Sequence, residues 1–151
     1  MVKIYLADAA ATEAFGARLA ACCQAGGLIF FHGQLGAGKT TLVRGLLRAL
    51  GHTGPVKSPT YALVESYQLQ SREVHHLDLY RLADPGELEW IGIRDLIDAE
   101  ALALIEWPEQ GKGILPDPDL ELTIGYRDAG REVELRAVSD TGSKWLSCLE
   151  S

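Results

Sequence analysis

The sequence predicts an α/β fold in which helices cover a mixed β-sheet, built as one domain over residues 1–151. Short apolar runs typical of strands alternate with helical patterns along the chain. One of these runs, "GGLIFF" at 26–31, leads directly into a glycine-rich loop and then into a helical pattern. The composition agrees, because 151 residues of which 47% are hydrophobic can bury a core and do not resemble a disordered chain.

The first two predicted elements are an edge strand, "KIYLA" at 3–7, and an alanine-rich helix over 11–25. The helix places Phe15, Leu19 and one of two adjacent cysteines on a single stripe. Thr12 stands at its start, where its hydroxyl would cap the first turn. Contact between Thr12 and a ligand is the alternative.

The glycine-rich loop fits the phosphate-binding pattern G-x-x-x-x-G-K-[ST] through Gly33, Gly38, Lys39 and Thr40. Glycines allow backbone N–H groups to turn inward around phosphate oxygens, where a Cβ would obstruct them. The lysine supplies a charge for the β- and γ-phosphates, and the threonine hydroxyl is placed for Mg²⁺. The helix that follows directs its positive N-terminal end at the same anion and is expected to stop at Gly51. A glycine turn without a ligand is the alternative, but the strand before the loop and the helix after it favour phosphate binding.

A polar connection, "HTGPVKSPTY" at 52–61, follows the loop's helix. Ser58 and Thr60 offer hydroxyl groups in it, at the place where the corresponding loop of GTPases senses the γ-phosphate. A simple Ser-Pro turn is the alternative, and residue chemistry alone does not decide between the two.

Three further strands are predicted in the middle of the chain. "ALVESYQL" at 62–69 and "EVHHLDLY" at 73–80 are expected to form a hairpin around 70–72. "ALALIEW" at 101–107 is too uniformly apolar for a half-solvated strand, so we expect a central strand buried on both faces.

A helix and a second hairpin complete the predicted elements. The helix, "ADPGELEWIGIRDLI" at 83–97, would have Asp84 as its N-cap, Pro85 at its first position and Glu87 at the third. "LELTIGY" and "REVELRAVS" alternate in polarity on either side of the turn "RDAG", which indicates an antiparallel hairpin.

A phosphate-binding loop that works as an ATPase or GTPase also needs an acidic residue at the end of a buried strand. Glu106 ends the apolar run "ALALI", and Asp78 ends "EVHHL". A carboxylate at such a position is costly unless a cation pairs with it, and Mg²⁺ would supply one. The alternative for Glu106 is a strand-end acid facing solvent, and for Asp78 a helix cap or an ion pair with Arg81. The residues alone leave open which acid would contact the metal.

The net charge, the N-terminal sequence and the cysteines indicate which partners and which cellular compartment to expect. A net charge of −7 disfavours direct, non-specific binding to nucleic acid or to an anionic membrane. The N-terminus lacks the apolar stretch of a signal peptide and the apolar runs are too short to span a bilayer, so we expect a cytoplasmic protein. Cys22, Cys23 and Cys148 form no C-x-x-C pair and are expected to be reduced, packed residues rather than a disulfide or a zinc site.

Five segments in this order resemble the bacterial TsaE (YjeE) family: "GQLGAGKTTLVRG", "VKSPTYALVESY", "HLDLYRL", "IGIRDL" and "LIEWPEQG". The resemblance runs from Leu6 to about Arg136. Members are small P-loop ATPases required for the threonylcarbamoyl modification of the adenosine next to the anticodon in certain tRNAs. The resemblance implies an α/β sandwich around a mixed sheet, with ATP and Mg²⁺ as ligands.

The resemblance also implies residue roles. Lys39, Thr60 and Asp78 would be catalytic, with Thr60 as the loop sensor and Asp78 in the switch region near the γ-phosphate. Thr40 and Glu106 would hold Mg²⁺. The remaining nucleotide-binding positions would be Thr12, Gly33, Leu35, Gly36, Ala37, Gly38, Thr41, Trp107 and Arg131. The family match thus reverses the preference for Thr12 as a plain cap.

The process implied is a partnership, in which TsaD transfers the threonylcarbamoyl group with its companion TsaB. ATP binding and slow hydrolysis by this chain would drive or reset that assembly. The acidic charge of this chain agrees with partner proteins that make most of the contacts with the tRNA.

A small P-loop kinase is the first alternative function, but the arginines are scattered along the sequence rather than clustered in a lid. A nucleotide-dependent binding module without turnover is the second.

Overall fold

The computed structural model describes residues 1–23, 26–34, 36–59, 62–69, 72–98 and 100–151. Within these residues seven strands form one sheet. The strands are β1 Val2–Leu6, β2 Gly27–His32, β3 Val64–Gln68, β4 Glu73–Asp78, β5 Leu102–Glu106, β6 Leu120–Arg127 and β7 Gly130–Ala137. The helices are α1 Ala9–Cys22, α2 Lys39–Ala49, α3 Glu87–Trp90, α4 Ile93–Leu96 and α5 Asp140–Glu150, with a 3₁₀ turn at Pro108–Gly111.

The sheet is mixed, with the strand order β1-β7-β6-β2-β5-β4-β3. β2 pairs in parallel with β5 and with β6, and β5 pairs in parallel with β4. The β1–β7, β6–β7 and β3–β4 pairs are antiparallel. The central strands β2, β5 and β4 therefore all end at the same edge of the sheet.

Apolar side chains pack on both faces of this sheet. On one face, Leu102 and Leu104 of β5 join a cluster with residues of α1, α2 and α5. On the other face, Ala103 and Ile105 join a cluster that includes Leu88 of α3 and Ile93 of α4. Alternation along a strand sends successive side chains to opposite faces, so β5 is covered on both sides, as its uniformly apolar sequence predicts.

The predicted α/β sandwich, the mixed sheet and the central strand are confirmed. Both hairpins are confirmed too, as β3–β4 and β6–β7. Residues 70 and 71 of the first predicted turn lie outside the described residues. β1 is an edge strand, and Gly51 directly follows the last helical turn after the phosphate-binding loop, both as predicted.

The first helix begins earlier than predicted. Asp8 is its N-cap, because Asp8 Oδ1 accepts a hydrogen bond from the N–H of Ala11 at 2.8 Å. Thr12 lies inside the first turns, where its hydroxyl donates to the carbonyl oxygen of Asp8 at 3.2 Å. The prediction of Thr12 as the cap is therefore wrong.

The segment predicted as one helix over 83–97 forms two single turns, α3 and α4. The predicted N-cap is wrong, since α3 begins at Glu87 with Gly86 as its N-cap and without a side-chain cap hydrogen bond. Asp84 Oδ1 instead accepts from the N–H of Gly86, and Glu87 Oε2 accepts from the N–H of Ala83, in the turn before the helix. Gly92 then takes a left-handed conformation with φ of 71° and ends the first turn. A further helix, α5, was not anticipated from the sequence.

The cysteine prediction is wrong for two of the three residues. Cys22 at the end of α1 and Cys148 in α5 form a disulfide across 126 residues of sequence. Cys23 is free and buried, as expected. Burial raises the pKa of the Cys23 thiol to about 12, so it stays protonated at neutral pH.

Candidate phosphate-binding site

The ends of three parallel strands bring the predicted site residues together. The phosphate-binding loop follows β2, while Glu106 ends β5 and Asp78 ends β4. In the sheet register Phe31 of β2 lies beside Glu106, and Glu106 lies beside Asp78. Ligand sites of open α/β sheets form at this carboxyl edge, so the topology alone joins two acids predicted from distant segments to the loop.

The loop itself has the conformation that its glycines allow. Gly33 has φ of 151°, and a Cβ there would lie 2.5 Å from the carbonyl oxygen of Ile124. Gly38 has φ of 109° and immediately precedes the first residue of α2, so the helix N-terminus opens on the loop. Leu35 lies outside the described residues.

Lys39 lies within the site rather than in solvent, with only 5% of its surface exposed. Its Nζ donates to the carbonyl oxygen of Gly33 at 2.7 Å, which ties the end of the loop to its beginning. The same Nζ lies 3.5 Å from Glu106 Oε1 and 4.5 Å from the centroid of the Trp107 ring. A buried ammonium group is stable here because a carboxylate, a carbonyl and an aromatic face surround it.

Glu106 is buried, and each of its two carboxylate oxygens has a partner. Its Oε1 faces Lys39, and its Oε2 hydrogen-bonds His76 Nε2 at 2.5 Å. The interpretation of Glu106 as a solvent-facing acid is therefore wrong. His76 itself was not predicted as a site residue. It precedes Asp78 by two positions on β4, and that spacing is the signal in the sequence that would have placed it on the same face of the sheet.

Asp78 is 3% exposed, and its Oδ1 accepts a hydrogen bond from the N–H of Tyr80 at 2.9 Å. This bond closes a local turn and not the helix cap considered as the alternative for Asp78, since the next helix begins at Glu87. A cavity of about 250 Å³ is lined by Gly36, Gly38, Lys39, Thr40, Thr41, Ser58, Asp78 and Glu106. Thr60 lies outside the described residues, whereas Ser58, two positions earlier, lines the cavity.

The chemistry of this cavity fits Mg²⁺ held with a phosphate ligand. Thr40 offers a hydroxyl and Glu106 a carboxylate, and hard oxygen ligands of this kind suit Mg²⁺. No cluster of three or more His, Cys, Asp or Glu side chains suited to a metal occurs in the part of the chain that the structure describes.

A second cavity of about 230 Å³ lies on the other side of the loop. Its lining includes Thr12 and Arg131, together with Gly36, Gly38 and Thr41 of the loop. The methyl group of Thr12 lies 3.8 Å from the position that a Cβ on Gly38 would take. The structure therefore places Thr12 and Arg131 beside the loop but apart from Glu106 and Asp78.

The tip of the β6–β7 hairpin holds the loop from outside. Arg131 Nε donates to the carbonyl oxygen of Ala37 at 3.0 Å, and the Tyr126 hydroxyl donates to the carbonyl oxygen of Gly36 at 3.1 Å. The guanidinium of Arg131 also lies 4.2 Å from the centroid of the Tyr126 ring. Tyr126 was missed in the sequence, because nothing local links a strand-end tyrosine to a loop 90 residues earlier.

Four of the arginines considered for a kinase lid contact other parts of the described chain. Arg94 pairs with Glu89, Arg127 with Glu132 and Arg136 with Glu121. Arg72 donates to the carbonyl oxygen of Cys23, beyond the other end of the sheet from the loop. None of these four side chains lines the cavity that contains Lys39, Asp78 and Glu106.

The fold and the loop together define a P-loop nucleotide-binding domain of the α/β class. The chain belongs to the TsaE family, since the family model described as threonylcarbamoyl adenosine biosynthesis protein TsaE matches residues 6–133. The resemblance seen in the sequence is thereby confirmed.

Individual relatives agree with this assignment. A protein of Haemophilus influenzae is 49% identical over 124 residues, covering 82% of this chain and 78% of its own. One of a Nostoc species is 37% identical over 154 residues, covering 97% and 93%. Both are described as tRNA threonylcarbamoyladenosine biosynthesis protein TsaE. The crystal structure of Bacillus subtilis YdiB superposes with a TM-score of 0.85 at 25% identity, covering 99% of this chain and 93% of that one.

None of the helices in the described ranges is long and apolar enough to cross a membrane.

Proposed function

We propose that this chain binds ATP with Mg²⁺, hydrolyses it slowly on its own, and acts with TsaD and TsaB in forming threonylcarbamoyladenosine next to the anticodon of tRNA. The observation that carries this proposal is the convergence of Lys39, Glu106 and Asp78 on one cavity beside the phosphate-binding loop. Membership of the TsaE family supports the process, and the resemblance of the sequence to that family implies the partners.

The loop and Lys39 would bind the phosphates. Lys39 would exchange its hydrogen bond to Gly33 for the β- and γ-phosphates, joined by backbone N–H groups over 36–41. Thr40 and Glu106 would hold Mg²⁺, which when bound neutralises part of the phosphate charge. Thr12 and Arg131, in the cavity on the other side of the loop, would contact the nucleoside end of the ligand.

Asp78 would orient the attacking water, because it lies beside Glu106 in the sheet and lines the same cavity. Thr60 would sense the γ-phosphate from the preceding loop, of which Ser58 already lines the cavity. Trp107 lies against Lys39 and shields it from solvent. A free chain has no partner surface to organise Asp78 and the water, so we expect turnover to be slow until one binds.

The partners would carry most of the contact with tRNA. With a net charge of −7 this chain lacks the excess of positive charge that phosphate binding along RNA requires. In a complex, the TsaD–TsaB pair would supply the positively charged surface that contacts the tRNA. We expect this complex to form in the cytoplasm.

The test mixes the pure chain with ATP, Mg²⁺ and candidate small acceptors, with and without TsaD and TsaB. Slow phosphate release that the partners accelerate supports the proposal. A phosphorylated acceptor would instead indicate a kinase. Nucleotide binding without turnover in every mixture would indicate a nucleotide-dependent binding module. Lys39→Ala serves as the inactive control.

A second test measures the affinity for TsaD–TsaB without nucleotide, with ADP, and with a non-hydrolysable ATP analogue. Linkage is reciprocal, so a partner that responds to the nucleotide must bind the three states unequally. Equal affinities would contradict the switch. Unequal affinities that survive Thr60→Ala would keep the switch but assign it to another residue.

A further inference from the structure

His76 is a buried polar residue to which the proposed function gives no task. None of its surface is exposed, although it lies in β4 only two residues before Asp78. Its Nε2 hydrogen-bonds Glu106 Oε2 at 2.5 Å. A buried imidazole needs such a partner, but the partner chosen here is the carboxylate that faces the phosphate-binding lysine.

The two oxygens of Glu106 have different partners. Oε1 lies 3.5 Å from Lys39 Nζ, and Oε2 bonds His76. Lys39 sits at the end of a flexible four-carbon stem, and phosphate would attract it away from Oε1. His76 has no comparable freedom, because β4 and β5 are paired and His76 lies opposite Leu104, two residues before Glu106.

The hydrogen bond also indicates which ring nitrogen carries the proton. A carboxylate oxygen accepts, so His76 Nε2 must donate. His76 Nδ1 is buried and has no hydrogen-bond partner within the described residues.

We propose that His76 is a positioning residue that holds Oε2 of Glu106, so that Oε1 stays directed at the cavity when Lys39 turns to the phosphates. The inference rests on the proposed role of Glu106 toward Mg²⁺ and deepens it. Partners that orient a metal-binding side chain typically change metal affinity about 10- to 100-fold when they are removed.

The experiment compares three variants by calorimetric titration of a non-hydrolysable ATP analogue, first in EDTA and then across a Mg²⁺ series. His76→Leu removes the donor at similar volume. His76→Gln keeps an N–H at the same number of bonds from Cβ. His75→Leu is the matched control, since His75 is buried on the same strand but bonds Ser66 and lies 3.2 Å from Glu73, away from the site.

We expect His76→Leu to bind the analogue in EDTA within about twofold of the wild type while losing at least tenfold in apparent Mg²⁺ affinity. His76→Gln should recover most of that loss, and His75→Leu should behave as the wild type. If His76→Leu does not fold, His76→Asn takes its place, because its shorter amide cannot reach Oε2 and should show the same loss.

Wild-type Mg²⁺ dependence in His76→Leu would overturn the proposal. Equal losses in EDTA and in Mg²⁺ would also overturn it, since they indicate a structural role alone. Failure of the proposed function is distinguishable, because the wild type itself would then show no response of analogue binding to Mg²⁺.

Discussion

Lys39 and Gly33 close the phosphate-binding loop on itself through a hydrogen bond of 2.7 Å from Nζ to the carbonyl oxygen. The first and the last parts of the loop pattern are thus held together in the structure. Lys39 also has Glu106 at 3.5 Å, so its charge is already neutralised inside the site. A bound phosphate would therefore replace Gly33 and Glu106 as partners of a lysine that already lies in the site, and Lys39 would not have to move in from solvent.

Lys39→Ala should weaken binding of an ATP analogue by at least about tenfold, because hydrogen bonds to charged groups are among the stronger ones. Isothermal titration of the folded variant measures this directly. Lys144→Ala is the control, since Lys144 is an exposed lysine on α5. Affinity of Lys39→Ala close to that of the wild type would remove the phosphate-binding role of the loop.

Glu106→Gln should lower the apparent Mg²⁺ affinity of the nucleotide-bound protein by about tenfold or more, because a neutral amide is a poor Mg²⁺ ligand. The Gln amide has nearly the same size and shape as the Glu carboxylate and can still contact Lys39 or His76, so the variant should fold. Mg²⁺ titrations followed by Trp107 fluorescence, or by calorimetry, report the change. Glu109→Gln is a matched control, since Glu109 is 55% exposed outside the cavity. Curves identical to the wild type would move the ligand role to Asp78.

Tyr126→Phe tests the contact between the β6–β7 hairpin and the loop. The Tyr126 hydroxyl donates to the carbonyl of Gly36, and a hydrogen bond of this kind contributes about 0.5–1.5 kcal/mol. We expect nucleotide affinity to fall by up to about tenfold, and the free energy of unfolding to fall by no more than the contribution of this one bond, because the ring is largely exposed. Tyr5→Phe is the control on an exposed tyrosine of β1. An unchanged affinity in Tyr126→Phe would show that this contact does not hold the loop in its binding shape.

The Cys22–Cys148 disulfide predicts a separation of stability from binding. Reduction frees a closed loop of 126 residues and should lower the free energy of unfolding by about 2–4 kcal/mol. Cys22 and Thr12 lie ten residues apart on α1, about 15 Å, so nucleotide affinity should not change. Thermal unfolding and analogue binding, each with and without dithiothreitol, check both parts. Cys148→Ser should unfold at the reduced temperature in both conditions, and equal unfolding temperatures for all samples would contradict the prediction.

Local patterns predicted most of the residues that line the cavity beside the phosphate-binding loop. The glycine spacing identifies the loop, and a uniformly apolar run that ends in Glu106 identifies a central strand with an acid at its edge. Parallel pairing then brings Glu106 and Asp78 to the loop without any further information. These predictions succeed because each depends on the period or the punctuation of a short segment.

The features that the sequence did not reveal depend on contacts between distant segments. His76 meets Glu106 across 30 residues and Tyr126 meets Gly36 across 90. The disulfide joins cysteines that lie 126 residues apart and form no C-x-x-C pair, and the amphipathic pattern of α5 is short. The single helix expected over 83–97 failed because the left-handed Gly92 outweighs the propensity of its neighbours.

The central claim is that nucleotide binding at Lys39 supports the threonylcarbamoyl modification of tRNA. The most direct measurement is the fraction of modified adenosine next to the anticodon, by mass spectrometry of tRNA from bacterial cells depleted of their own TsaE and supplied with this chain. We predict that the wild-type chain restores the modification and that Lys39→Ala, at equal protein level, does not. Full restoration by Lys39→Ala, or none by the wild type, would contradict the account.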